Sequence, residues 1–146
     1  MKLRYVSQLP SVSLFRPIGI AANVLQSVCL LVEEVEAIRL KDLKGLEQEE
    51  CAKKMRVSRA TFHHILESAR KKLAQALING KAIEIEGGNF GLPQTHFKCK
   101  KDGHEWSVPF DVLANRIPLI CPICFGNNII PLSPFGCRRR FHGGRR

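Results

Sequence analysis

Three cysteines in the last third of the chain have the spacing of metal ligands. Cys99 stands in Phe97-Lys98-Cys99-Lys100-Lys101-Asp102-Gly103-His104-Glu105-Trp106, and Cys121-Pro122-Ile123-Cys124 is a C-x-x-C pair. Such thiolates at hairpin tips are the donors of a zinc ribbon, in which two knuckles share one ion. The ion then supplies the stability that so short a segment cannot draw from its own core. The usual first knuckle is C-x-x-C-G-H, and here Asp102 takes the place of its second cysteine. Three thiolate ligands are expected, and the fourth is open. His104 ranks first as the stronger zinc donor, Asp102 second as a harder oxygen donor in the expected position, and His96 third, with Cys137 or water behind them. Two other outcomes stay open. The ribbon could persist without metal through Phe97, Trp106, Val108 and Ile120, or a metal-bound water beside Glu105 as base could make a hydrolytic site. The chain has no nucleophile pair, no Gly-rich phosphate loop and no H-E-x-x-H. The expectation is a protein that is not an enzyme.

The second constellation runs from Gln48 to Glu67 and has the layout of a helix-turn-helix. Cys51, Met55, Val57, Phe62 and Ile65 fall where two steeply crossing helices share a small core, and Ala52 keeps the crossing narrow. Ser58 is a good N-cap for the second helix. Arg56 occupies the tight turn, where a residue tolerant of positive φ, commonly Gly, is expected; its side chain has the reach to contact backbone phosphates. The recognition helix starting near Ser58 would present Ser58, Arg59, Ala60, Thr61, His63, His64, Arg70 and Lys71 to the major groove and its flanking phosphates. Arg59 is the residue suited to a guanine edge or a phosphate. A plain helical hairpin with a solvated face would share this periodicity but does not call for basic charge on its second helix.

The charge agrees with a polyanionic partner. The 146 residues carry 23 basic and 13 acidic side chains, a net +10, unevenly spread: −1 over residues 1–50, +5 over 51–90 and +6 over 91–146. Apolar residues at 45% and charged residues at 25% are the balance of a folded globular chain. No apolar run of membrane-spanning length and no signal-peptide pattern occurs in the chain, so a cytoplasmic protein without membrane contact is expected. The tail, with Arg138-Arg139-Arg140 and Arg145-Arg146, would add phosphate attraction without base reading. Cys29 and Cys51, alone among apolar residues, read as small core residues.

The elements that must position these residues are legible in outline. An extended N-terminal arm punctuated by Pro10, Pro17 and Gly19 precedes a helix from about Glu33 that Gly45 ends or bends. A short helix spans about Glu47 to Met55, and a longer one from Ser58 turns Phe62, Ile65, Leu66, Ala69, Leu73, Ala76 and Leu77 inward. Residues 81–86 alternate like a strand, Gly87-Gly88-Asn89 closes it, and no helical pattern follows. The expected fold class is α+β, a mainly helical helix-turn-helix domain over residues 1–90 and a small β-rich zinc-ribbon-like module over 91–134, followed by a basic tail over 135–146.

The run from Glu33 to Leu46, then Gln48-Glu49-Glu50, Val57-Ser58-Arg59, Thr61-Phe62, Gly80-Lys81-Ala82 and Glu86-Gly87-Gly88, resembles an uncharacterised prokaryotic family of predicted DNA-binding proteins. That family's helix-turn-helix is in turn similar to region 4 of bacterial sigma factors. Arg4, Val6, Pro10, Phe15, Pro17 and Gly19 fit its opening, so the resemblance covers about residues 4 to 90. Val32, where the family tends to have a Ser, Thr or Asp cap, and Arg56 depart from its pattern. The resemblance implies sequence-directed binding of double-stranded DNA in transcriptional control. The alternative function is an RNA-binding or polymerase- or ribosome-associated interaction module, with contact to the transcription machinery. A second copy of the chain is an expected partner, since one helix-turn-helix often needs another to span two half-sites.

Overall fold

A computed structural model describes residues 2–115 and 118–132; Cys137 and the tail 135–146 lie outside the described residues. Helix α1 (Val32–Ile38) opens with Glu33 and Glu34 in its first turn, where unpaired amides favour carboxylates. Its N-cap is Leu31, which has no side-chain acceptor for the helix's first amides; its own amide donates to Glu34 Oε1 at 2.8 Å, the half of a capping box that the third helical residue supplies. The helix widens into a π-helical turn over Arg39–Leu43. Helix α2 (Gln48–Met55) and helix α3 (Arg59–Asn79) follow. Ser58 Oγ accepts the Thr61 amide at 3.1 Å, satisfying one donor of the open helix end. All three helices share one core in which Ala37, Leu40, Cys51, Met55, Phe62 and Leu66 are almost wholly buried.

The N-terminal part is less helical than expected. The arm contributes β1 (Arg4–Tyr5), β2 (Leu14–Phe15) and β3 (Ser27–Leu30), which join β4 (Ala82–Ile85) and β5 (Phe90–Gly91). In one sheet β4 is central, antiparallel to β2 and parallel to β3, and β1 pairs with β5 in parallel. Beneath them Val6, Leu30, Val32, Ala69, Ile85 and Phe90 form a second core. Strand β3 escapes a pattern reading because the short apolar run Val28 to Val32, which continues into α1, has no period that separates strand from helix. The chain is a mixed α+β protein.

A second three-stranded sheet has β6 (Gln94–Cys99) between β7 (Glu105–Pro109) and β8 (Ile129–Pro131). Helix α4 (Phe110–Ala114) follows β7; five residues are too few to announce helical periodicity. Strand β5 straddles the expected boundary at residue 90 and ties it to the arm. Leu77, expected inside, is 80% exposed, and Ile78 is 83% exposed; Ala76 takes the inward position, and the last turn of α3 runs past the core.

Glu33, Glu34 and Glu36 are each only 2–3% exposed, which demands partners for their charge. Glu33 accepts the Asn89 amide at 3.1 Å and faces Arg4 at 3.6 Å. Gly88, at φ +113°, comes so close that a Cβ there would collide with the Glu33 carboxylate. Glu34 pairs with Lys72 at 2.6 Å, and Glu36 accepts the Ser7 amide at 2.6 Å and the Arg39 guanidinium. The Glu-Glu-Val-Glu run therefore fastens the arm, α3 and the loop after β4 to α1.

Burial pushes the Glu33 carboxyl above the ordinary glutamate value, against the pull of the Asn89 amide and Arg4. A folded value above the unfolded one means that the stabilisation from Glu33 titration is complete below the unfolded value and is lost as pH rises through the folded one. In urea unfolding between about pH 4 and pH 7, the free-energy gap between the native protein and Glu33→Gln should shrink as pH rises. A gap that stays constant would show that Glu33 titrates like a solvated carboxylate.

Candidate functional site

The cysteine cluster is built from two turns with one backbone scheme. In the first, the Gly103 amide donates to Cys99 O at 2.9 Å and the Cys99 amide to His104 O at 2.8 Å; in the second, the Phe125 amide donates to Cys121 O at 2.9 Å and the Cys121 amide to Gly126 O at 2.9 Å. The residue at the bend is left-handed in both, Gly103 at φ +77° and Phe125 at φ +58°, a conformation that is free for glycine and costly for phenylalanine. Asp102 thus holds in the first turn the place of Cys124 in the second. Strand β6 delivers Cys99 to the sheet's end, and the loop between α4 and β8 carries the second turn.

Cys99 Sγ lies 3.6 Å from Cys124 Sγ, and Cys121 Sγ lies 3.3 Å from Asp102 Oδ2. The four ligand atoms of Cys99, Asp102, Cys121 and Cys124 all fall within 4.8 Å of one another and could hold a metal ion. His104, the first-ranked fourth ligand, does not join them. Its amide donates to Asp102 Oδ1 at 2.8 Å, and its ring stacks on Trp106 with centroids 5.7 Å apart and planes 10° from parallel. The reason is position: His104 is two residues past the turn's second ligand place, on the way into β7. His96 is on β6 opposite Ser107, in an open groove with Glu105 and Trp106, and is not part of the cluster.

The His104 amide holds the Asp102 carboxyl below its usual range, with help from the neighbouring thiols. Cys124 is drawn down by the Gly126 amide, but desolvation and the crowding of Cys99, Cys121 and Asp102 outweigh it and push the thiol up to about 11. A bound cation would invert the balance that disfavours the Cys124 thiolate.

Between α2 and α3 the chain turns at Arg56, φ 57° and ψ 42°, the left-handed joint that the sequence calls for. The Arg56 side chain is 45% exposed and is engaged within the chain. Its guanidinium lies 4.7 Å from the Tyr5 ring centroid and 4.9 Å from that of Phe110, and it is paired with Asp111 of α4. The turn is thereby clasped by the arm on one side and by the cysteine-bearing part on the other. Tyr5, Phe110 and Asp111 carry no sequence signal for this role, because their partner is some fifty residues away in each direction.

On α3, Arg59, Ala60, His63 and His64 are exposed and Thr61 is half-buried, its hydroxyl 2.9 Å from Ser58 Oγ. Arg59 faces Glu49 at 3.5 Å and His63 faces Glu67 at 3.7 Å, all four being exposed. Arg70 is tied to Asp42 of the π-helical turn and holds that carboxyl below its ordinary range, while Lys71 is exposed. Arg59, Ala60, His63 and His64 are thus open on the first two turns of α3, while Arg56 is tied to α4 and Arg70 to the π-helical turn.

The model of the family described as protein of unknown function DUF134 matches residues 1–92, which takes in the arm, the three helices and both small N-terminal sheets. The chain belongs to this family. Among its relatives, a UPF0251 protein of Moorella thermoacetica is 54% identical over 140 residues, covering 96% of this chain and 91% of that protein. A UPF0251 protein of Pelotomaculum thermopropionicum is 52% identical over 123 residues, 84% of this chain and 89% of its own. One from Chlorobaculum tepidum is 41% identical over 147 residues, 99% of this chain and 72% of its own. The Moorella match runs well past residue 92, so similarity to that protein extends into the cysteine-bearing part. No solved structure matches the chain. Among the described residues no helix is long and apolar enough to cross a membrane.

Proposed function

We propose that this DUF134 protein is a sequence-directed DNA-binding protein acting in transcriptional control, with α2 and α3 as a helix-turn-helix and α3 entering the major groove. The joint between the two helices carries the reading. The left-handed residue at Arg56, the Ser58 cap and the core shared by Cys51, Met55 and Phe62 fix the helix pair. The same joint leaves Arg59, Ala60, His63 and His64 open at the N-terminal end of α3, the end that a recognition helix lays on base edges. The net +5 of residues 51–90 supplies the phosphate attraction.

The ion proposed for the cluster is zinc. Sulfur ligands about 2.3 Å from a tetrahedral centre stand about 3.8 Å apart, close to the 3.6 Å between Cys99 and Cys124. In this role the ion is structural, joining the two knuckles of a zinc ribbon.

Arg59→Ala is the test. Specific duplex binding should weaken by about 1 to 3 kcal/mol, roughly 5- to 150-fold, with relaxed preference at one or two base pairs and a smaller change in non-specific binding. Titration against duplexes selected from a random pool, with structured RNA as competitor, reads both effects. Undiminished affinity and preference in the variant, or displacement of duplex by RNA at equal concentration, would replace major-groove reading with an RNA or interaction role.

A further inference from the structure

The end of α3 away from the proposed reading face carries exposed apolar side chains on two uncharged stretches, flanked in sequence by Arg16 and Lys81. Ile18 is fully exposed, Leu77 and Ile78 are at least four-fifths exposed, and Phe15, Ile20 and Val24 are open to between 38% and 64%. The fold brings the arm to the C-terminal end of α3. Phe15 of β2 pairs with Ile83, the Ala82 amide donates to Gln26 O at 2.9 Å, and Ile20 Cδ1 lies 3.4 Å from where a Cβ would stand on Gly80. The loop 16–26 therefore folds over the end of α3, one turn from Leu77 and Ile78. In a chain with one residue in four charged, Pro17–Gln26 and Leu73–Gly80 contain no charged residue at all.

We propose, on the reading of α3 as the helix that meets DNA, that this face is the interface of a two-fold dimer of the chain. Summed over the six residues, the exposed area is on the order of 700 Å², close to what one partner contributes to a stable interface. The excess positive charge lies in residues 51–146, whose basic surfaces repel their like, so self-association selects the uncharged end, whereas a polyanion selects the basic regions. Strand β2 forms the outer edge of its sheet among the described residues, and its antiparallel pairing with the same strand of a second copy satisfies a two-fold axis. Helix α3, with 21 residues, is about 30 Å long. Joining two copies at its C-terminal end leaves both N-terminal ends free and well apart, as two half-sites require.

Sedimentation equilibrium of the full chain without DNA, from about 1 to 100 µM, tests the assignment. The expected mass is twice the 16.4 kDa of the chain. Ile18→Glu and Ile78→Glu, on separate elements and exposed in one copy, should each raise the dissociation constant at least about tenfold with an unchanged circular dichroism spectrum. Leu43→Glu, at an equally exposed apolar position on the π-helical turn, should leave the dimer intact. A single-chain mass throughout, a dimer indifferent to both substitutions, or one equally sensitive at Leu43 would overturn the proposal. The mass is measured without DNA, so loss of the DNA-reading assignment would not change it. A monomer that still prefers one half-site would separate the two in the other direction.

Discussion

Protein purified under reducing conditions without chelator should carry about one zinc ion per chain, and Asp102→Ala should lose it while His104→Ala keeps it. Two matched turns converge Cys99, Asp102, Cys121 and Cys124, whereas the His104 ring is engaged with Trp106. Asp102→Cys should tighten binding, since it completes a four-thiolate set better suited to zinc than an oxygen donor. Chelation should change the fluorescence of Trp106, the only tryptophan, which stands on β7 next to the His104 ring. The helical circular dichroism should persist, because the α1–α3 core makes no use of the ion. Metal-free protein from such a preparation would instead make the two turns a hydrogen-bonded pair that holds the sheet without an ion. Retention by Asp102→Ala together with loss by His104→Ala would return the fourth place to the imidazole.

Glu36→Ala should cost about 3 kcal/mol of stability, the scale for removing one partner of a buried charged pair. Glu36 is 3% exposed and accepts both the Ser7 amide at 2.6 Å and the Ser7 hydroxyl at 3.0 Å, as well as the Arg39 guanidinium. Truncation removes the acceptor of the Ser7 amide and of the Arg39 guanidinium, which is 13% exposed, and it frees the arm that supplies Val6 to the second core. For a unit of this size, the fall in melting temperature should be on the order of 10 to 20 °C. Differential scanning calorimetry with and without the substitution reads it. A loss below about 1 kcal/mol would place Glu36 among solvated surface acids.

What the sequence determined by itself is what short-range physics controls. The α2–turn–α3 unit was legible because a helix period, a serine cap and a left-handed joint each act within four residues, and the structure has all three at Met55, Arg56 and Ser58. The three thiols were legible for the same reason, since each turn is closed by its own backbone. At the fourth ligand place, ligand chemistry favoured His104 and turn spacing favoured Asp102. The structure followed spacing, because backbone position decides which atoms can converge before donor preference acts.

Only the tertiary structure decided the long-range pairings. Glu33, Glu34 and Glu36 have the same local pattern whether they serve the helix dipole at the surface or anchor Asn89, Lys72 and Ser7 from inside the fold. Arg56 has the same reach whether it meets a phosphate or Asp111, and Leu77 the same helical phase whether α3 stops at the core or runs past it. Periodicity reports which side of an element is apolar, but not how far the rest of the chain extends to cover it. That depends on contacts between residues tens of positions apart, whose cost is set by closing the chain and whose gain exists only once the cores are formed.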